Sequence, residues 1–151
     1  MIQDDIKVFI EDLCSKIPFG VMCKIYRVDD EGIGWRNAKC TGFYINDNVY
    51  EFYFDNVVAV DNVAKIRMYL RPLSSMTDFE MEELCYKFNM SNVDFNEFKQ
   101  MFNDYININK LLIKFNSSWG LIEWLNRHHF DFRQMIRRGF ALEAPADMYN
   151  E

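Results

Sequence analysis

The apolar residues change period once, near residue 20, and that change sets the class of fold open to this chain. Up to that point Ile2, Ile6, Phe9, Ile10, Leu13 and Ile17 recur at helical spacing, with Asp4, Asp5, Lys7, Glu11 and Asp12 on the other face. Asp4 and Asp5 fall in the early turns, where a helix dipole favours anions. Pro18 biases Ile17 out of the α region and Gly20 turns the chain. From Val21 the period is two. VMCKIYRV, Val21 to Val28, is β-branched and aromatic and reads as a strand. DDEGIGWRN, 29–37, reads as a turn-rich loop. Lys39 to Ile45 reads as a second strand. Asn46-Asp47-Asn48 makes a hairpin turn, because Asn and Asp tolerate left-handed backbone. Val49 to Asp55 is a third strand, Val57 to Val60 a short fourth and Ala64 to Leu70 the last. Consecutive short strands joined by turns make an antiparallel meander.

The second half returns to helical spacing. Thr77 with Glu80 forms a capping box ahead of a buried stripe of Met81, Leu84, Cys85 and Phe88. Glu82 and Glu83 read as its solvated face rather than as an acid/base pair. Asp94 with Glu97 is a second box, with Val93 and Phe98 as its hydrophobic staple. Phe95, Phe98, Phe102 and Tyr105 continue at helical spacing and read as core rather than as a platform for bases. The alternation within 106–116 favours an extended segment beside the sheet. Two helical patterns then meet at a corner, Phe130-Asp131. Asp131 is expected to cap the second helix, with Gln134 completing a box, Phe130 and Met135 as staple, and Gly139 as the left-handed stop. The expectation is a single α+β domain over residues 1–151: an N-terminal helix, an antiparallel sheet of four to five strands, and C-terminal helices packed on one face. A chain of 151 residues is long enough to bury its own core without a disulfide or a metal.

Several chemistries lack their sequence signatures. Seventeen Lys and Arg against 23 Asp and Glu give a net charge of −6, opposite to the usual nucleic-acid binder, although a local basic patch stays open. Cys14, Cys23, Cys40 and Cys85 are scattered without a C-x-x-C pair and read as reduced thiols. The acidic N-terminal helix suits neither a signal peptide nor a membrane-surface helix, and no stretch reaches the roughly 20 apolar residues of a membrane span. Gly32 and Gly34 do not complete a phosphate-binding fingerprint, and no G-x-S-x-G elbow is present. No cofactor is expected.

Three sets of residues remain as candidates. His128, His129 and Asp131 sit together, but adjacent helical histidines point about 100° apart and cannot act as an i, i+4 ligand pair. Capping of carbonyls and packing explain them more simply, with Asp131 serving as a cap. A metal-assisted enzyme at His128/His129 stays as the second alternative. Arg127, Arg133, Arg137 and Arg138 form a basic cluster that fits an acidic protein partner, a nucleic acid, or an ordinary solvated surface. Of the tryptophans, Trp124 is expected in the core and Trp35, on its glycine-rich stretch, at a partner contact. Trp119 has no assignable role.

Two stretches carry a family resemblance. MYLRPLSSMT, matching from Tyr69 to Thr77, and WLNRHHFDFRQMIRRGFALEAPADMY, Trp124 to Tyr149, resemble a group of small Bacteroidetes phage and prophage proteins. That group typically reads PYLRPMSSMT and then WLNAHHFDYRGLIEKGLALEAP. IPFGVM, Ile17 to Met22, is similar to the group's LPYGV segment. This chain departs from the pattern in carrying Gln134 for the usual glycine, and Arg137-Arg138 where an acid and a lysine are common. The resemblance implies a phage or prophage protein in the cytoplasm of a bacterial host. It implies no activity, because none is assigned to the group. The leading expectation is therefore a non-enzymatic accessory protein acting on an unknown protein partner, host or phage. The first alternative is nucleic-acid contact through Arg127–Arg138.

Overall fold

In the computed structural model, residues 3–29, 32–47, 49–55, 57–87 and 118–149 are described. The first helix, α1, spans Gln3–Lys16 and buries Phe9, Ile10 and Leu13, the stripe that the period predicts. It also buries Asp12 and Lys16. A 3-10 turn at Ile17–Phe19 follows Lys16, and Gly20 closes it in the left-handed region at φ 74.

Six strands are seen among the described residues: β1 (Met22–Asp29), β2 (Gly32–Asn46), β3 (Val49–Phe54), β4 (Val57–Val60), β5 (Ile66–Leu70) and β6 (Ala141–Glu143). Their order is β4-β3-β2-β1-β5-β6. β1 to β4 form the antiparallel meander expected from the alternation, but β5 does not follow β4: it crosses back to pair antiparallel with β1. β6 departs from the antiparallel pattern, pairing parallel to β5 from Met68↔Ala141 to Leu70↔Glu143. The sheet is therefore mixed. A hairpin can only deliver an antiparallel neighbour, whereas the long connection between β5 and β6 lets the chain re-enter the sheet in the same direction.

The stretch 29–37 is not a loop. Its described residues are strand: Asp29 ends β1 and 32–37 begin β2, the two paired in register from Met22↔Lys39 to Asp29↔Gly32. Gly32 and Gly34 lie at φ 128 and 154, a conformation side chains resist, so glycine here shapes the strand rather than interrupting it. Within the expected turn between β2 and β3, Asp47 is left-handed, at φ 39.

Cys23, Ile25, Ala38, Cys40, Phe52, Phe54, Ile66, Met68 and Leu70 all face inward and share one core with Phe9, Ile10 and Leu13 of α1. A shift in register between Cys40 and Gly42 lets one extra residue of β2 pass without losing this alternation. A second core joins α2 (Asp78–Lys87) to α3 (Ser118–Arg127). It contains Leu73, Met76, Met81, Leu84, Leu121, Trp124, Leu125, Phe130 and Phe132. The Thr77/Glu80 box forms as read: the Glu80 N–H donates to Thr77 Oγ1 at 3.1 Å and the Thr77 N–H to Glu80 Oε1 at 3.1 Å. Phe88, the Asp94/Glu97 box, the Phe95–Tyr105 stripe and 106–116 lie outside the described residues.

The second helix of the corner does not form. After Arg127 the chain runs through turns to residue 140. Asp131 does cap backbone N–H groups, but those of Met135 (2.7 Å) and Ile136 (2.9 Å), four and five residues on. An N-cap reaches only the second or third residue of its helix. Gln134 lies at φ 61, a left-handed value that breaks a right-handed helix. Gly139 is left-handed as expected, at φ 82.

Candidate functional site

The two stretches that carry the resemblance meet in space. The Arg71 N–H donates to the His129 carbonyl (2.9 Å), the Asp131 N–H to the Arg71 carbonyl (2.9 Å) and the Ala144 N–H to the Leu70 carbonyl (2.8 Å). The backbone of 129–131 thus extends the end of β5, and β6 continues the pairing. His128 and Phe130 face one side network, Asp131 and Arg133 another.

On the first side Arg71 grips Glu80 in a two-pronged ion pair, at 2.7 and 2.6 Å. Its guanidinium lies 4.3 Å over the Phe130 ring. Burial raises the Glu80 carboxyl, but the Arg71 and Thr77 contacts outweigh it and hold the pKa below its ordinary value. His128 Nδ1 is 3.5 Å from Glu80 Oε2, and its ring is 4.3 Å from that of Trp124. Burial is the main cause that lowers its pKa, with Glu80 pulling the other way. Arg71 therefore pins the corner onto the start of α2.

The second side is a buried ionic cluster. Asp12 and Lys16 are both fully buried. Lys16 Nζ donates to Asp12 Oδ1 at 2.5 Å and to Asn126 Oδ1 at 3.0 Å. Arg133 donates to the same Asp12 oxygen at 2.5 Å, and Ser15 Oγ lies 3.3 Å from Asn126 Oδ1. The Phe132 ring is 4.8 Å from Lys16 Nζ and 4.5 Å from the Arg133 guanidinium. Burial pushes the Lys16 pKa down, opposed by Asp12. It pushes Asp131 up, opposed by the two N–H groups that Asp131 accepts. This cluster ties α1, α3 and the corner together. A lysine so enclosed offers no face to a substrate, so the geometry is that of a structural clamp.

His129 sits between the two networks at φ 61 and stacks on Tyr149 with ring centres 3.7 Å apart. Burial, followed by the charge of Lys16, lowers its pKa to about 4, so the ring is neutral near pH 7. Tyr149 donates to the Tyr69 carbonyl (2.7 Å) and accepts from the Met22 N–H (2.9 Å), fastening the C-terminal segment to β1 and β5. Among the described residues no group of three His, Cys, Asp or Glu is placed to hold a metal ion. The cysteines are free thiols, and burial raises Cys14 to about 11 and Cys40 to about 12. Both therefore stay protonated and poorly nucleophilic at neutral pH.

The arginines do not act as one patch. Arg127 pairs with Glu123 at 3.3 Å, Arg133 turns inward to Asp12, and Arg138 lies 3.6 Å from Asp5. Arg137 is exposed. Trp35 lies on β2, not on a loop. It packs edge-on against Tyr26 at 5.5 Å and remains 43% exposed. Asp12, Ser15, Lys16, Asn126, Arg71, Glu80 and Tyr149 complete the junction without being singled out as a site from the sequence. One local signal was available: Lys16 falls on the same helical line as Phe9 and Leu13, so a burial partner was to be sought for it.

A different surface stands out at the tip of the β2–β3 hairpin. Phe43, Tyr44, Ile45 and Val49 are 46, 51, 46 and 58% exposed. By register Phe43 and Ile45 lie on the core-facing side of the ribbon, opposite Phe52 and Tyr50. Tyr44 and Val49 lie on the outer side, so the ribbon tip is apolar on both faces. In comparison with known proteins, the chain matches no family model, no curated protein and no solved structure.

Proposed function

We propose that this chain is a small, non-enzymatic phage or prophage accessory protein of the bacterial cytoplasm that works by binding a protein partner through the tip of its β2–β3 hairpin. The observation that carries the reading is the apolar tip itself. Four neighbouring large apolar residues held in water on both faces of a two-stranded ribbon are costly to leave uncovered, and such patches mark interaction sites. The buried charges of the corner support the reading indirectly, because they are occupied in holding elements together. The origin of the protein rests on the resemblance. In its favour, the two stretches that carry it pair directly with each other. Gln134 also takes a left-handed φ of 61 at the position where the group carries glycine.

The test compares the parent with a Phe43→Ser/Val49→Ser variant. Each is tagged and used for capture from host lysate, and any protein recovered in stoichiometric amount is purified and titrated calorimetrically. The parent is expected to bind it with a negative heat-capacity change, the mark of apolar burial, and the variant to lose that binding. A partner bound equally by both proteins would remove the hairpin tip from the reading.

A further inference from the structure

We infer that the outer face of β1, β2 and β5 binds single-stranded nucleic acid, a contact separate from the hairpin tip and from the Arg127–Arg138 segment. Register defines this face. Cys23, Ile25, Ala38, Ile66 and Met68 are buried on the inner side. Lys24, Tyr26, Trp35, Asn37, Lys39, Arg67 and Tyr69 alternate with them and point the other way. Arg67, Lys24 and Asn37 form one row across the three strands. Tyr26 and Trp35 form the next row on one side, one two-residue step or roughly 7 Å away. On the other side lie Tyr69 and Lys39, with the Tyr69 hydroxyl donating to Asn37 Oδ1 at 2.8 Å.

A row of cations flanked by aromatic rings fits a strand of unstacked bases joined by phosphates. The rings offer stacking surfaces and the cations meet the backbone. The charge on this face is opposite to that of the whole chain. Lys24, Lys39 and Arg67 stand against Asp55, which accepts from the Lys39 N–H at 3.1 Å, in a protein of net charge −6. Arg67 is held in place by its own contacts to the Ala64 and Ile66 carbonyls, at 3.2 and 3.1 Å. A duplex hides its base faces, so a platform of this kind favours single strands. An acidic protein segment would pair with the three cations, but it does not present flat bases in regular succession to the exposed Trp35 and the half-buried Tyr26 and Tyr69.

Fluorescence anisotropy of a labelled oligothymidylate tests this with the full chain. Affinity should fall with salt at a log–log slope of about −2, the value for three phosphates on a single strand. Trp35→Ala should weaken binding at least about fivefold, the lower end for loss of one stacked base. Lys24→Glu/Lys39→Glu should abolish binding, and a duplex of matching sequence should bind more weakly. Urea midpoints separate lost binding from lost folding. A second measurement needs no variant: in the parent, amide shifts on adding the oligonucleotide should cluster at Lys24, Tyr26, Trp35 and Arg67. No binding at low salt would overturn the inference. So would shifts confined to the hairpin tip, or binding that survives both variants and responds to Arg137→Glu.

Discussion

Replacing Asp12 tests whether the buried ionic cluster clamps α1 to the corner. Asp12 Oδ1 accepts from both Lys16 and Arg133, so Asp12→Leu removes the carboxylate that faces two cations. Lys16 would keep the Asn126 oxygen and the more distant charge of Asp131 but no carboxylate in contact, and it has no route to water because it is fully buried. Removing one partner of a buried ion pair costs about 3–5 kcal/mol, set against the roughly 5–15 kcal/mol that holds a domain folded. Lys16→Met alone should cost less, because Asp12 keeps Arg133. The double variant separates charge from packing. With both Asp12 and Lys16 gone, Arg133, whose side chain is 25% exposed, can turn to water. Lys16→Met should therefore destabilise the parent yet stabilise the Asp12→Leu protein. Urea denaturation at neutral pH, with midpoints and slopes for all four proteins, measures this cycle. The reasoning fails if Asp12→Leu unfolds within about 0.5 kcal/mol of the parent, or if the two substitutions simply add.

Three further predictions follow from the corner. Gln134→Gly should raise stability by up to about 1 kcal/mol, because φ 61 strains a residue with a Cβ; a lowered urea midpoint would argue against the left-handed turn. His129 has a folded pKa near 4 against an ordinary value of 6.5, so below pH 6.5 the unfolded chain takes up a proton that the native ring refuses. Stability should then be full above pH 6.5 and fall by roughly 3 kcal/mol toward pH 4, and His129→Asn should flatten that slope in a pH series of melts. Glu80, with its lowered pKa, adds a loss in the same direction at lower pH, while Asp131, with its raised pKa, opposes it. Trp124→Ala should cost about 3–5 kcal/mol, since the ring is 3% exposed and stacked on Phe130 at 5.9 Å; a parent-like melt would show that the second core does not depend on it.

Local patterns were legible where the interaction that fixes them is also local. The α1 stripe, the Thr77/Glu80 box and the Asp47 turn each involve residues within four positions of one another, and each forms as read. The β1–β2 hairpin was hidden because Gly32 and Gly34 carry a loop signal, although their φ values of 128 and 154 serve an extended ribbon. Asp12 misled for a related reason. It lies among the acids of α1 and reads as part of the solvated face. Its partner Arg133 sits 121 positions away, a distance at which no periodicity speaks.

The corner shows how a tertiary contact overrides a correct local signal. Asp131-x-x-Gln134 has the residues of a capping box, and Asp131 does cap. But the N–H of Asp131 and the carbonyl of His129 are already bonded to Arg71, which holds 129–131 as an extension of β5. Phe130 is fully buried beneath the Arg71 guanidinium, which is itself locked to Glu80. A helix starting at Asp131 would have to leave from that strand-like backbone. The chain instead bends through the left-handed Gln134 and reaches Gly139 ready to enter the sheet as β6. The parallel strand and the absent helix thus go together, and Arg71, which the sequence did not single out, holds the corner through both its backbone and its side chain. Arg71→Met keeps those backbone bonds but removes the guanidinium from over Phe130 and from Glu80 together, and should loosen β6 and the start of α2 in the same hydrogen-exchange step.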